Sequence, residues 1–255
     1  MTTNNDDTQR PTPWTRPGFI ISAVVIAFIV IAGIVIAIAT HHTTTPTPGT
    51  AGPTIATPAP TTTASNSGTD SVCGLPKGPE SALTTPPTST EWKLVGSMAA
   101  PSEASVGPGA VSSGIHTCFA QSSTGALYAA VNLIADLSAP NANTLAIVKA
   151  RTAKGTGYDA AVSLTQSSDP MPGGTGGDPI YQVAGFRYLD YADNRATLEV
   201  IVRLTNGSGA GSVASVPVTM AWQDGDWKRV VQPDGTIPEG SNLDANATYV
   251  HWSGA

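Results

Sequence analysis

Arg195-Ala196-Thr197-Leu198-Glu199-Val200-Ile201-Val202-Arg203-Leu204 alternates side chains along its length. Ala196, Leu198, Val200, Val202 and Leu204 fall on one side, and Arg195, Thr197, Glu199 and Arg203 on the other. A period of two marks a strand with one buried face. Ile201 is the one apolar residue on the polar side. Upstream, residues 180–191 read as a long strand, joined to this one by a tight turn at Asp193-Asn194. Downstream, the Gly/Asn/Ser loop 206–212 leads to a third strand with Val216, Val218, Met220 and Trp222 on one face. Pro217 cannot donate to a ladder, so it calls for a sheet edge or a bulge. Asp224-Gly225 is a hairpin turn, and Asp226-Trp227-Lys228-Arg229-Val230-Val231 returns as the last strand.

The segment before these strands has a different period. Leu127, Val131, Ile134 and Leu137 recur at steps of four, three and three, the spacing of one helix face. Ser123 or Thr124 can cap its start, and Pro140 stops it. Asn141 or Asn143 then caps a second helix, whose C-terminal Lys149, Arg151 and Lys154 suit the helix dipole. A short third helix covers residues 158–164, and the Gly-rich loop 171–179 separates helices from strands. Helices followed by an antiparallel meander define an α+β class. The expectation is two to three helices packed on a curved antiparallel sheet of about four strands, within residues 121–231, one face buried and the other available. Residues 72–120 read as an irregular wrap held by a disulfide, with Trp92, Leu94 and Val95 as an anchoring patch. Residues 232–255, rich in Pro, Gly and Asn, read as a loosely ordered tail.

Outward from the domain, the N-terminal third is of another kind. Residues 19–39, FIISAVVIAFIVIAGIVIAIA, contain no charge, amide or proline. About twenty apolar residues span a hydrocarbon core of roughly 30 Å, so this is the expected transmembrane helix. Arg10 and Arg16 lie in the leader 1–18, and the next basic residue is Lys77. The positive-inside rule therefore places the N-terminus in the cytoplasm and the rest outside, in a single-pass cell-membrane protein. Ala37-Ile38-Ala39 fits a signal-peptidase site, but the apolar run exceeds the 7–15 residues of a signal peptide, so the span reads as uncleaved. No Cys lies near it to serve as a lipid anchor. Residues 40–71 are mostly Thr, Pro, Ala, Gly and Ser, a composition that cannot bury enough apolar surface to offset ordering entropy. They form a disordered linker, about 3.1 Å per residue where extended, and a candidate for O-glycosylation.

The net charge is −6, and no basic stripe supports a nucleic-acid partner. Cys73 and Cys118 are the two cysteines, both on the exported side, and a disulfide between them is the expectation. His41, His42, His116 and His251 are not spaced with Cys or carboxylate as a metal site requires, and no cofactor is implied. Trp92, Trp222 and Trp227 are candidate structural anchors.

The order of elements resembles the nuclear-transport-factor-like cone fold. The stretch Met220-Ala221-Trp222-Gln223-Asp224-Gly225-Asp226-Trp227-Lys228 is similar to the final hairpin of such domains. Behind one N-terminal span, this fold resembles VirB-type assembly subunits of conjugative type IV secretion systems and their TcpC-type Gram-positive relatives. Cys73-Gly74-Leu75-Pro76, Trp92-Lys93-Leu94-Val95-Gly96, Gly107-Pro108, Cys118-Phe119-Ala120 and residues 124–130 are similar to an uncharacterised exported domain of actinobacterial conjugative and integrative elements. These motifs are structural. The resemblance implies envelope or transfer-channel proteins as partners, together with self-association.

Gly155-Thr156-Gly157-Tyr158-Asp159-Ala160 matches a dinucleotide-binding pattern but follows a helix instead of a strand, so it reads as a turn. Gly173-Gly174-Thr175-Gly176-Gly177 lacks the Lys-Ser/Thr of a phosphate loop, and no G-x-S-x-G occurs. Were a cavity to carry acid–base chemistry, its groups would be Tyr128, His116, Tyr188 and Asp136, the last expected at the edge of the apolar stripe, facing solvent or the helix end. Three functions stand open from sequence. The first is a non-enzymatic structural or assembly subunit of a conjugative transfer apparatus. The second is an accessory of an actinobacterial lipid-uptake transporter. The third is a small-molecule-binding cone domain.

Overall fold

Helix α1, Ser123–Ser138, is the element around which the other described parts assemble. The structure, a computed structural model, describes residues 71–140, 142–168, 180–207, 209–244 and 246–254. The leader, the apolar run 19–39, nearly all of the linker and the glycine loop 171–179 lie outside the described residues. Among the described residues no helix is long and apolar enough to cross a membrane.

The α1 sequence explains its central place. Gly125, Ala126, Ala129, Ala130 and Ala135 are buried along with Leu127, Tyr128, Val131 and Leu133. Small residues on the flanks of the apolar stripe let other chain segments close in on every side. Ser122, one residue before the expected cap, accepts from the Gly125 N–H at 2.9 Å. Helix α2 is Thr144–Arg151, capped by Asn143, and α3 is Tyr158–Ser167.

One face of α1 lies on an antiparallel sheet. β5 (Tyr181–Ala192), β6 (Arg195–Leu204), β7 (Val213–Gln223) and β8 (Asp226–Arg229) form the expected meander. Val183, Phe186, Leu198, Val200, Val218, Met220 and Trp227 line its inner side. Pro217 sits where β7 is bonded only to β6, opposite Glu199, in keeping with its edge requirement.

Three expectations need correction. The wrap is not irregular throughout: it contains two hairpins, β1 (Glu91–Val95) with β2 (Met98–Ser102), and β3 (Ala110–Ser112) with β4 (Ile115–Thr117). Within the patch, Trp92 and Val95 pack on the core whereas Leu94 is 76% exposed. The sheet has six strands instead of about four, because the tail supplies β9 (Ser241–Asn242) beside β7 and β10 (Val250–His251) beside β5.

The tail is therefore ordered, and the reason is Trp252. Its ring enters the core at 6% exposure, 4.6 Å from Trp92, 5.7 Å from Tyr128 and 5.8 Å from Phe186. Its indole N–H donates to Thr90 Oγ1 at 3.3 Å, and Thr90 Oγ1 is 2.6 Å from the Tyr128 hydroxyl. On the way the tail crosses the outer sheet face, which is not left free. A Cβ at Gly185 would lie 2.6 Å from the Tyr249 ring and closer still to the Val250 carbonyl, so only glycine admits this crossing. Ile201, paired with Gly185, is fully buried, which accounts for the apolar exception on the polar side of β6.

Trp252→Ala should lower unfolding free energy by about 3–5 kcal/mol, the cost of truncating a buried aromatic. Urea unfolding of the full chain measures it, and a change under about 1 kcal/mol would mean the tail is not part of the core.

Candidate functional site

Cys118 sits at the corner where wrap, helices and sheet meet. It forms the disulfide with Cys73, Cα to Cα 6.1 Å, as the cysteine count implied. Ser71 Oγ lies 3.6 Å from the Cys73 Sγ and 3.7 Å from the Cys118 Sγ. A Cβ at Gly109 would come within 3.0 Å of both sulfurs, so this glycine makes room for the bridge. Cys118 itself is left-handed, φ 68°, a conformation that costs a non-glycine residue about 1–2 kcal/mol.

The buried Asp226 carboxylate holds that turn. Oδ2 accepts the Cys118 N–H at 3.0 Å, and Oδ1 accepts the Phe119 and Trp227 N–H groups at 2.9 Å each. Lys228 Nζ is 3.7 Å away and donates to the Ala150 carbonyl at 2.9 Å. The Trp227 indole closes the corner by donating to the Ala120 carbonyl at 2.9 Å.

A second cluster lies next to it. Asp136 is only 1% exposed, against the expectation of a solvent-facing position, because the β3–β4 hairpin covers that flank of α1. Its Oδ1 is 2.5 Å from His116 Nδ1, and its Oδ2 accepts the His116 N–H at 3.0 Å. Arg151 is fully buried, donating to the His116 and Ala129 carbonyls and lying 4.9 Å from the Phe119 ring centroid. Burial pulls the Arg151 pKa down, opposed by Asp226 and Asp136. Burial likewise lowers Lys228, against the attraction of Asp226.

A carboxylate orienting a histidine ring can serve a general base. Here both Asp136 oxygens are engaged with His116, one through the backbone, and Arg151 fixes the carbonyl of the same residue. The pair thus fastens β4 to α1 and α2. Of the four cavity candidates, the structure brings His116 and Asp136 together. Tyr128 faces Thr90 and Trp252, and the Tyr188 hydroxyl donates to the Ser123 carbonyl at the start of α1. The inner sheet face, where a cone-cavity binder would hold its ligand, is packed by α1 with Leu198, Val200 and Trp227. Among the anchors, Trp227 is fully buried, 5.5 Å from half-buried Trp222, and Trp92 packs at a tilt against Trp252.

Asp226 and Arg151 are absent from the sequence-based candidates. Alternation in Asp226-Trp227-Lys228-Arg229 gave no signal for either: with Trp227 inward it turns Arg229 inward, whereas the structure buries the adjacent Asp226 and Trp227 together. Among the described residues no three His, Cys, Asp or Glu side chains come together as a metal site.

Fold and corner together define a disulfide-clamped α+β domain whose buried ionic groups hold backbone. The chain belongs to the family described as Domain of unknown function (DUF8175), which it matches over residues 53–251. No curated protein and no solved structure matches the chain.

Asp226→Ala leaves three buried N–H groups without an acceptor and Lys228 without its carboxylate, and should cost about 3–5 kcal/mol in chemical unfolding. Loss of under about 1 kcal/mol would remove Asp226 from the account. A pH effect follows from the phenols. Burial pushes Tyr128 and Tyr191 up to about 12, from an ordinary value of 10.0. Raised pKa values contribute stability that is fully present below about pH 10 and lost as pH climbs through about 12. Phenolate absorbance should therefore lag for these two tyrosines and appear with unfolding; titration of all six near 10 would contradict this.

Proposed function

We propose that the protein is a single-pass, membrane-anchored structural or assembly subunit, its head displayed outside the cytoplasmic membrane. The head has a nuclear-transport-factor-like cone fold. It works by protein contact in a conjugative, type IV secretion-like transfer apparatus, and is not an enzyme. The apolar run 19–39, the Arg-bearing leader and the Thr/Pro linker support the tether. The resemblance to exported domains of conjugative elements supports the system.

The observation that carries the reading is how the chain enters the head. Val72 N–H donates to the Gly225 carbonyl at 2.8 Å, in the turn of the β7–β8 hairpin. One residue later Cys73 is covalently tied to Cys118, whose backbone Asp226 holds. A pull along the linker thus reaches the sheet through a covalent bond and a buried carboxylate, without first peeling the wrap. Such an entry suits a head that bears load on a tether. Exposed Leu94 on β1 and Val111 on β3 are apolar side chains free to meet a partner.

The test uses the full chain in its native membrane. Photo-crosslinkers at Leu94 and Val111 should capture an envelope or transfer-channel protein, and gene deletion should abolish transfer. With the photo-crosslinkers moved to the exposed neighbours Lys93 and Ser112, Leu94→Asp with Val111→Asp should remove the crosslinks that these positions give in the otherwise unchanged chain, while changing stability by less than about 0.5 kcal/mol per site. Unchanged transfer after deletion, with no crosslinked partner, would overturn the reading.

A further inference from the structure

The outer face of the sheet carries a second feature, separate from the clamped corner. Where the tail crosses it, a cleft of about 680 Å³ opens between strands and tail. Its floor is Arg187 on β5, Glu199 on β6 and Ser215 on β7, and its rim is Ser241 to Asp244 together with Asn246 and Ala247. Volumes of about 300–1,000 Å³ suit small ligands.

The floor is held rigidly. Arg187 and Glu199 are cross-strand partners, with Arg187 Nε 2.7 Å and Nη2 2.5 Å from the same oxygen, Glu199 Oε2. Both bonds end on Oε2, so Oε1 is not the atom that holds the guanidinium. The rim is tied down by the Leu243 N–H to the Val213 carbonyl at 3.0 Å, and by the Ala247 N–H to the Asp244 carbonyl at 2.9 Å. Asn242, Asp244 and Asn246, each exposed, bring two amides and a carboxylate to the same opening.

The chemistry of this lining selects among ligand classes. Two carboxylates against one guanidinium, already paired, disfavour an anion. The apolar contribution is limited to Leu243 and Ala247, too little for a lipid tail or an aromatic drug-like body. The amides of Asn242 and Asn246, the carboxylates of Glu199 and Asp244 and the hydroxyls of Ser215 and Ser241 bring both hydrogen-bond donors and acceptors to one opening, the mixture that sugar hydroxyls, themselves donors and acceptors, can satisfy. We propose that this cleft binds a neutral, hydroxyl-rich ligand, a saccharide unit, with Glu199, Asn242, Asp244 and Asn246 making the polar contacts. The site does not depend on the assembly reading, and would hold for a head outside the membrane or elsewhere. A free sugar and the end of a glycan polymer share the same chemistry.

The experiment is nuclear magnetic resonance of the full chain in detergent micelles, titrated with tri-N-acetylglucosamine, with maltotriose and with inorganic phosphate. Backbone amides of residues 241–244, of Asn246 and Ala247 and of Glu199 should shift with at least one saccharide, at a Kd on the order of 1 mM, and not with phosphate. Affinity for N-acetylated trimer over maltotriose would point to a glycan polymer, and equal affinity to a general sugar site; either supports saccharide binding. Asn242→Ala with Asn246→Ala should weaken the interaction at least about tenfold. Both residues are exposed, so the fold persists, and an unchanged amide spectrum elsewhere checks this. Absence of shifts at about ten times that concentration, shifts confined to other regions, shifts with phosphate alone, or equal affinity in the double variant would each overturn the proposal.

Discussion

The buried Asp226 carboxylate is the constraint on which the other parts rest. Three backbone N–H groups, from Cys118, Phe119 and Trp227, converge on its two oxygens. Those groups belong to the end of the wrap and the last meander strand. Without the carboxylate they would be buried and unbonded, and the left-handed turn at Cys118 would have nothing to hold it. Arg151 and Lys228 balance the charge, and Arg151 carries the restraint on to His116, and so to Asp136 on α1. One carboxylate thereby links wrap, helix and sheet, and the disulfide adds the covalent connection to the chain's entry point. The titratable groups most suggestive of chemistry are the groups that fasten segments together.

This arrangement relates structure to the proposed role. A tethered head must keep its shape while its N-terminal end is pulled, and here that end is locked two residues after Ser71. The tail performs a matching task at the other end, threading across the outer face and locking with Trp252 among Trp92, Tyr128 and Phe186. In crossing, it leaves the polar cleft over Arg187 and Glu199. The two ends thus divide the surface into a clamped corner, a cleft, and hairpins whose Leu94 and Val111 side chains point outward.

What could be read from the sequence was what local chemistry decides. The period of two in β6, the turns at Asp193-Asn194 and Asp224-Gly225, the Asn143 cap and the edge position of Pro217 all follow from residues within a few positions of each other. The disulfide followed from the even cysteine count and the expectation of an exported domain. The tail could not be read this way, because its order depends on one tryptophan entering a slot built from β1, α1 and β5. Nor could the burial of Asp136, since the stripe of α1 gives one apolar face and the hairpin that covers its flank is distant in sequence. Gly185 was silent for the same reason: its role exists only once Tyr249 lies over it. The apolar run 19–39 and nearly all of the linker, expected from composition alone, lie outside the described residues.

The central claim is that Asp226 and the disulfide act as one clamp. A double-mutant cycle tests it most directly, using Asp226→Asn, Cys73→Ser with Cys118→Ser, and all three together, with unfolding free energies from urea titration of the full chain. Coupled groups should give an interaction energy of at least about 1 kcal/mol, because a Cys118 turn released by either change has less to lose from the other. Costs that add to within about 0.5 kcal/mol would contradict the account.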